Sequence, residues 1–375
     1  MDLQVCLESI KIKTSDFEFV FWLMNKIIFA QPITVGEIID PDVGATWVFP
    51  VHHMEEWYVA LGQQSDLWLA PLDSQDWTVR MEDVQNLSNH GQLIDHAFRK
   101  CPDGGFLHVG FSGFEQGNHF GFYNEDFELI ASGEIDASSN DPSAVCGVNF
   151  VGFGTAEMMS DVDLWWSLNP EVSEMVNEAV DLVQSPRLTG AGMLEINERL
   201  FVIGRDLQPD LVVQEYDSEL VPIDRQLIPS SGPGIMNYWP TAVEVVGEKI
   251  ILLTMGRDPS EPWLMDTGDL FIMVMSLDWE VEYWEQLTYF EPEEGGGMRP
   301  WMDRSETTIL VGFDRNNRGM FIPIEIDSDY FGLNTQIDKE EAKQDSVVKE
   351  NGCGSNHSVL FLMPLCWGVG RFRRP

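Results

Sequence analysis

One strand pattern, an Asp or Gly followed by aromatic and apolar residues, recurs six times along this chain and constrains its fold more than any other feature. The copies are "DLWLAPLD" from Asp66, "NHFGFYNED" from Asn118, "DLWWSLN" from Asp163, "DLVVQEYD" from Asp210, "DLFIMVMSLD" from Asp269 and "GMFIPIEID" from Gly319, spaced 45 to 59 residues apart. Each follows a second apolar strand, such as "EWYVALG", "GFLHVGF", "RLFVIGRD" or "TTILVGFDR". Several lead into an acidic turn and a polar-alternating strand: "SQDWTVRME", "EDFELIASGEI" and "DWEVEYWEQLT". A repeat of this length is one supersecondary unit that buries its faces only against its neighbours.

Short alternating strands at a period near 50, rich in β-branched and aromatic residues with frequent Gly and Pro, read as four-stranded antiparallel blades. Helical repeats are excluded by the same composition. The expected fold is all-β, a β-propeller of six blades, or of five if the third copy is irregular. That copy carries a helix-like stretch, "NPEVSEMVNEAVDLV". The sixth copy lacks a fourth strand, and "PITVGEIID" near the N-terminus has the character to supply it. Pairing the two closes the ring and removes an open edge. With 44% hydrophobic residues, 13 Trp and 22 Phe, the chain can bury the core such a ring needs.

The charge narrows the partners. Against 62 Asp and Glu stand 22 Lys and Arg, a formal net charge of −40. Nucleic acid and anionic membrane surfaces need clustered cations and are disfavoured. A soluble monomer is expected, with a carbohydrate or an extracellular protein as partner.

The chain ends do not resemble the body. Residues 17–30, "FEFVFWLMNKIIFA", follow Lys11 and Lys13, end at Ala30 and read as an export leader. Residues 338–351 are a charged spacer after a propeller spanning 31–337. From Gly352, "GCGSNHSVLFLMPLCWGVGRFRRP" resembles the C-terminal sorting tails of secreted bacterial proteins, most closely the kind found in myxobacteria and some marine bacteria. The resemblance implies processing and lipid attachment at Cys353, with Arg371, Arg373 and Arg374 as the stop. Its apolar run, Val359 to Gly370, is shorter than a spanning helix requires. Membrane contact is expected only through this tail, and the expected location is secreted or on a bacterial cell surface. In the body, only Cys101 and Cys146 are left to pair.

Propellers hold ligands at a mouth of the central channel, reached by the innermost strands, which fall just upstream of the "EWYVALG"-type strands. The mouth candidates are Trp47, His52, His53, Asp95, His96, Tyr238, Trp239, Arg299, Trp301 and Asp303. Aromatic faces beside carboxylates and arginines suit sugars. The same aromatics also serve simply to pack neighbouring sheets.

The unit from Gly232 to Thr288 resembles blades of bacterial glycosidase-like propellers, in which an entry strand, a "DLF" strand and a "DWE" strand succeed one another. That resemblance implies a hydrolase with two carboxylates, for which Asp95 and Asp303 are the candidates. No G-x-S-x-G, P-loop or H-E-x-x-H is present. Acidic turns at Asp161 and Asp163, and at Asp266 and Asp269, are candidate calcium sites; no other cofactor is indicated. Three readings follow: a binding propeller, a glycosidase-like enzyme using Asp95 and Asp303, and a protein-interaction scaffold. Convergent carboxylates in a channel-mouth pocket favour the enzyme. A mouth of aromatics and arginines without that pair favours binding.

Overall fold

The computed structural model describes residues 31–333, apart from 64–65, 88–94, 112–117, 136–142, 157–162, 169–179, 186, 206–210, 229–235, 258–267 and 292–295. At some strand ends it gives the backbone alone. The leader, the spacer and the tail lie outside the described residues, as do residues 169–179 of the helix-like stretch.

Two short strands come first, β1 (Ile33–Val35) and β2 (Ile39–Gly44). Blade one contains β3 (Trp47–His53), β4 (Glu56–Gln63), β5 (Asp66–Asp73) and β6 (Thr78–Val79), with β7 (Gln85–Asn86) also on β5. Blade two contains β8 (Asp95–Lys100), β9 (Phe106–Phe111), β10 (Asn118–Tyr123) and β11 (Leu129–Ile135). Blade three contains β12 (Ser143–Cys146), β13 (Val151–Ala156), β14 (Asp163–Ser167) and β15 (Val180–Asp181). Blade four contains β16 (Arg187–Ile196), β17 (Arg199–Arg205), β18 (Leu211–Tyr216) and β19 (Pro222–Ile228). Blade five contains β20 (Met236–Val246), β21 (Lys249–Arg257), β22 (Asp269–Ser276) and β23 (Val281–Gln286). Blade six contains β24 (Met298–Arg304), β25 (Thr308–Arg315) and β26 (Arg318–Ile326), and β1 and β2 both pair with β26. The chain is a six-bladed β-propeller. The third copy is a proper blade, its outermost strand reduced to Val180–Asp181.

Middle strands are apolar on both faces because each blade is sandwiched between two others. All six residues of β9 are buried, as is "LFIMVM" of β22. Outermost strands reach solvent: β19 exposes Asp224 to Leu227, and β23 alternates. Neighbouring sheets approach closely where a glycine allows it. A Cβ on Gly312 of β25 would sit 2.8 Å from Val48 and Pro50 of blade one. Around the channel the inner strands share an aromatic belt. Phe49 meets Trp301 edge-on at 5.0 Å and Phe98 at 6.3 Å, joining blades six, one and two.

The acidic turns before the outermost strands share a device. Trp77, Phe127 and Trp279 adopt φ of 58°, 59° and 64°, a region that costs a bulky residue about 1–2 kcal/mol. Phe127 and Trp279 recover that cost by burying their rings. The preceding polar residue accepts the turn's amides, as Asn124 Oδ1 does from Asp126 N at 3.0 Å and Glu128 N at 2.8 Å.

Candidate functional site

The inner strands β3, β8, β12, β16, β20 and β24 meet, at their C-terminal ends, around a cavity of about 800 Å³. Its polar lining includes His52, Arg99, Lys100, Glu195, Glu244, Asp303 and Arg304, with Phe98, Met193, Val243 and Trp301 among the apolar walls.

These polar groups first tie the ring together. Asp303 in blade six accepts the N–H of His52 in blade one at 2.7 Å through Oδ2, and the N–H of Arg304 at 2.8 Å through Oδ1. Lys100 Nζ in blade two donates to the His52 carbonyl at 2.7 Å. Arg99 Nε donates to the carbonyl of Ala144 in blade three at 2.9 Å, beside the Cys101–Cys146 disulfide across the same junction. Glu195 in blade four accepts Asn149 N, Asn149 Nδ2 and Phe150 N of blade three at 2.7–3.2 Å. Arg304 Nε lies 3.3 Å from Glu244 Oε1, linking blades six and five. Among the described residues, five of the six blade junctions carry such a link at this end.

Glu244 is the unusual group. It stands third from the end of β20, in "AVEVV", on the cavity wall, with 30% of its side chain exposed. Burial, then the charge of Asp303, pushes its carboxyl up to about 7, against the pull of Arg304, Arg99 and Lys100. Burial also raises Asp303, opposed by the amides of His52 and Arg304. The His52 imidazole is lowered by burial and then by Lys100, so it is neutral at pH 7. Arg99 is drawn down to about 10 by burial and remains a cation. The cavity therefore presents cationic donors beside the carboxyl groups of Asp303 and Glu244, both of which burial makes readier to hold a proton.

This carries a prediction. The folded Glu244 carboxyl holds its proton more tightly than the unfolded one, whose reference value is 4.5. Its contribution to stability is complete below about pH 4.5 and is lost as pH rises through about 7. Glu244→Gln removes that dependence, so thermal melts across the window should show the variant gaining on the wild type as pH rises. Melting curves that stay parallel would mean Glu244 titrates as an ordinary surface carboxyl.

The sequence candidates fall at both ends of the inner strands. His52 and Asp303 reach the cavity, and Trp301 forms its wall. Trp47 opens β3, Asp95 opens β8 and Arg299 follows the first residue of β24, toward the other end. Five residues of extended chain span roughly 16 Å, so the structure does not bring Asp95 and Asp303 together. Trp47 packs on Phe49 and His96, beneath Arg299 at 5.1 Å. Arg299 bonds Asp314 at 3.2 Å. His96 is buried against His108, Nδ1 to Nε2 3.0 Å, and burial draws it down to about 3. His53 is tied to the Glu125 carbonyl at 2.7 Å. The Trp301 face is covered by the Arg99 guanidinium at 4.3 Å, so any stacked ligand would meet the arginine first. Tyr238 and Trp239 lie on β20, described by backbone alone, as is Asp95 on β8.

Of the calcium candidates, Asp161 and Asp266 lie outside the described residues and Asp163 is backbone alone, as Cys353 of the tail is also outside them. Asp269 fastens blade five internally: Oδ1 accepts Thr288 Oγ1 and Phe290 N, both at 2.9 Å, and Oδ2 accepts Gln286 Nε2 at 2.9 Å. Among the described residues no group of three His, Cys, Asp or Glu is placed to hold a metal ion.

Sequence reasoning missed Arg99, Lys100, Glu195, Glu244 and Arg304. The available signal was a charge inside an apolar inner strand, as at Glu244, or at the last residue before its turn, as at Lys100 and Arg304.

No protein-family model and no curated protein matches the chain. Among solved structures it is similar to a TolB candidate from Agrobacterium tumefaciens, with a TM-score of 0.45 and 10% identity over 80% of this chain and 99% of that one. It is also similar to a candidate 6-phosphogluconolactonase from Bacteroides uniformis, with a TM-score of 0.41 and 12% identity over 74% of this chain and 82% of that one. No residue role is carried over from either. The fold rests on the six sheets themselves.

Proposed function

We propose that this propeller is a binding module for a polyhydroxylated ligand, a carbohydrate, held in the cavity between His52, Lys100, Glu244, Asp303 and Arg304. The observation that carries this reading is the cavity of about 800 Å³ in which cationic donors and carboxyl acceptors converge from neighbouring blades. A sugar hydroxyl both donates and accepts, so it bridges a carboxyl and a guanidinium that already face each other. A polyanion gains little from a site in a chain of net charge −40.

The test is a panel of mono- and oligosaccharides titrated against the full chain, repeated with Arg304→Gln and Glu244→Gln. Losing a hydrogen bond to a charged group is worth about tenfold or more in affinity. Both variants should weaken binding by at least that factor, and exposed Arg318→Gln should not. Binding that ignores both cavity variants, or no binding to any saccharide, sinks the reading.

Hydrolysis of a glycosidic bond is a second reading, favoured by Glu244 alone. A carboxyl that holds its proton near pH 7 is the acid such a reaction needs. Glu244 would give its proton to the glycosidic oxygen as the C–O bond breaks, while Asp303 takes one from the water that adds to carbon. Each Asp303 oxygen accepts one backbone N–H, and each keeps a second lone pair. Release of reducing sugar from oligosaccharides or alkyl glycosides, whose leaving oxygen needs a proton, abolished in Glu244→Gln, would favour it over simple binding.

Export to the cell surface belongs to the same proposal. Its support in the folded body is the Cys101–Cys146 disulfide, a bond kept in oxidising compartments.

A further inference from the structure

A second, smaller cavity of about 310 Å³ lies between blades two and three, on the far side of the disulfide from the channel cavity. The two share Cys101, Pro102, Cys146, Gly147 and Val148 as a common wall. Where the channel cavity is rich in charge, this one is built from apolar surface. Phe106, Phe122 and Tyr123, all buried, form its floor, and Ile130 and Val151 its sides. Two of its polar groups are engaged within the fold. The Tyr123 hydroxyl donates to the Leu87 carbonyl at 2.5 Å, and Asp103 Oδ1 accepts Gly105 N at 3.0 Å.

At its lip two large apolar side chains face solvent, Val148 at 79% exposure and Ile130 at 58%. The turn that carries Val148 is held in place. Glu195 of the next blade takes both amides that follow Val148, and Asn149 Nδ2 as well. The fit is close enough that a Cβ on Gly147 would lie 2.0 Å from a Glu195 oxygen. A turn fixed by a carboxylate from the neighbouring blade, yet presenting a valine to water on the wall of a polar cavity, is arranged to hold apolar surface beside that cavity.

We infer that this groove is an annex to the channel site and takes the apolar aglycone of a glycoside whose sugar occupies the channel cavity. The inference rests on the carbohydrate reading and adds the substrate class, an amphiphilic glycoside rather than a free sugar. The five residues common to both linings set the two cavities side by side, and this adjacency decides in favour of a substituent of the same ligand. Glu195 is then a positioning residue, acting through the turn that presents Val148.

The experiment uses the full chain with three probes: octyl β-glucoside below its micelle concentration, methyl β-glucoside, and the dye 8-anilino-1-naphthalenesulfonate. Burying two methylenes is worth about tenfold in affinity. Octyl glucoside should therefore bind about tenfold or more tightly than methyl glucoside, and should displace the dye where methyl glucoside does not. Ile130→Asp, at an exposed side chain that lines the smaller cavity and not the channel cavity, should erase that advantage and reduce dye emission several-fold while leaving methyl glucoside binding unchanged, and Val148→Asp, on the shared wall, should reduce dye emission and octyl glucoside binding. Equal affinity for the two glucosides, or dye binding indifferent to both variants, overturns the annex. Dye binding that responds to Val148→Asp in a protein that takes neither glucoside nor any saccharide of the panel overturns the carbohydrate reading and, with it, the shared ligand, leaving an apolar groove of another purpose.

Discussion

Replacing Cys101 and Cys146 together by alanine is expected to lower stability by about 4 kcal/mol, the loop-entropy value for a closure of this length. The two cysteines are 45 residues apart, with Cα atoms 4.9 Å apart. Cys101 directly follows β8 and Cys146 ends β12, so the bond ties two inner strands at the cavity wall. In a domain of this size the loss should appear as a fall in Tm of roughly 8–16 °C. A fall of under about 2 °C would mean that the Arg99–Ala144 hydrogen bond and the blade packing already hold the junction. The same bond bears on the proposed export. Protein recovered from its own host should show no free thiol at either position, and an intact mass that begins near residue 31 and ends near Cys353. A full-length cytosolic species with both thiols free would sink the export proposal without touching the fold.

The architecture was legible because each blade repeats the same physical problem. A strand sandwiched between two sheets must be apolar on both faces, and "DLFIMVM" or "FLHVGF" announces that wherever it occurs. The missing fourth strand of the last copy likewise pointed to its partner, since an open edge needs covering. Turn conformation was less legible. Asn316–Asn317 carries the usual signal for two successive left-handed residues, but Met54–Glu55 adopts φ of 49° and 66° with no Gly or Asn. There, the antiparallel pairing of β3 and β4 imposes the turn on residues with no preference for it. The site was half legible for a related reason. Sequence shows which residues share an inner strand, but a strand has two ends and nothing local marks the one that opens on a cavity. His52 and Asp303 lie at that end, while Trp47, Asp95 and Arg299 lie toward the other. Glu244 is hard to read from sequence because nothing local in "VEVVGEK" separates a solvated face from a channel wall, and the closed ring makes it the wall.

Ile33→Asp is expected to cost more than about 4 kcal/mol, because it buries a carboxylate with no partner at the seam of the ring. Ile33 is 1% exposed and stands opposite Ile326 in the pairing of β1 with β26. The seam is made in two steps along one strand. β1 pairs with Ile324–Ile326, and β2 pairs farther along, at Gly319 and Phe321. Between them Gly36 N donates to the Pro323 carbonyl at 2.8 Å, and beyond them Asp327 N donates to the Pro32 carbonyl at 2.9 Å. Outside, Arg318 Nη2 reaches both Asp40 and Asp42, 2.9 Å and 2.8 Å away, but these groups are largely exposed and such pairs contribute at most about 1 kcal/mol. The comparison of Ile33→Asp with Arg318→Ala therefore separates burial from charge as the closing force. Arg318→Ala should move Tm by no more than roughly 2–4 °C, and Ile33→Asp by roughly 8 °C or more. The seam joins segments nearly the whole described chain apart, so it is the most non-local contact in the ring and the costliest in loop entropy. Losing it leaves β26 as an unpaired apolar edge, and Ile33→Asp should accordingly aggregate on heating where Arg318→Ala does not. If both variants melt alike, the stacked blades hold the ring without their seam, and the N-terminal strands serve only to cover an edge.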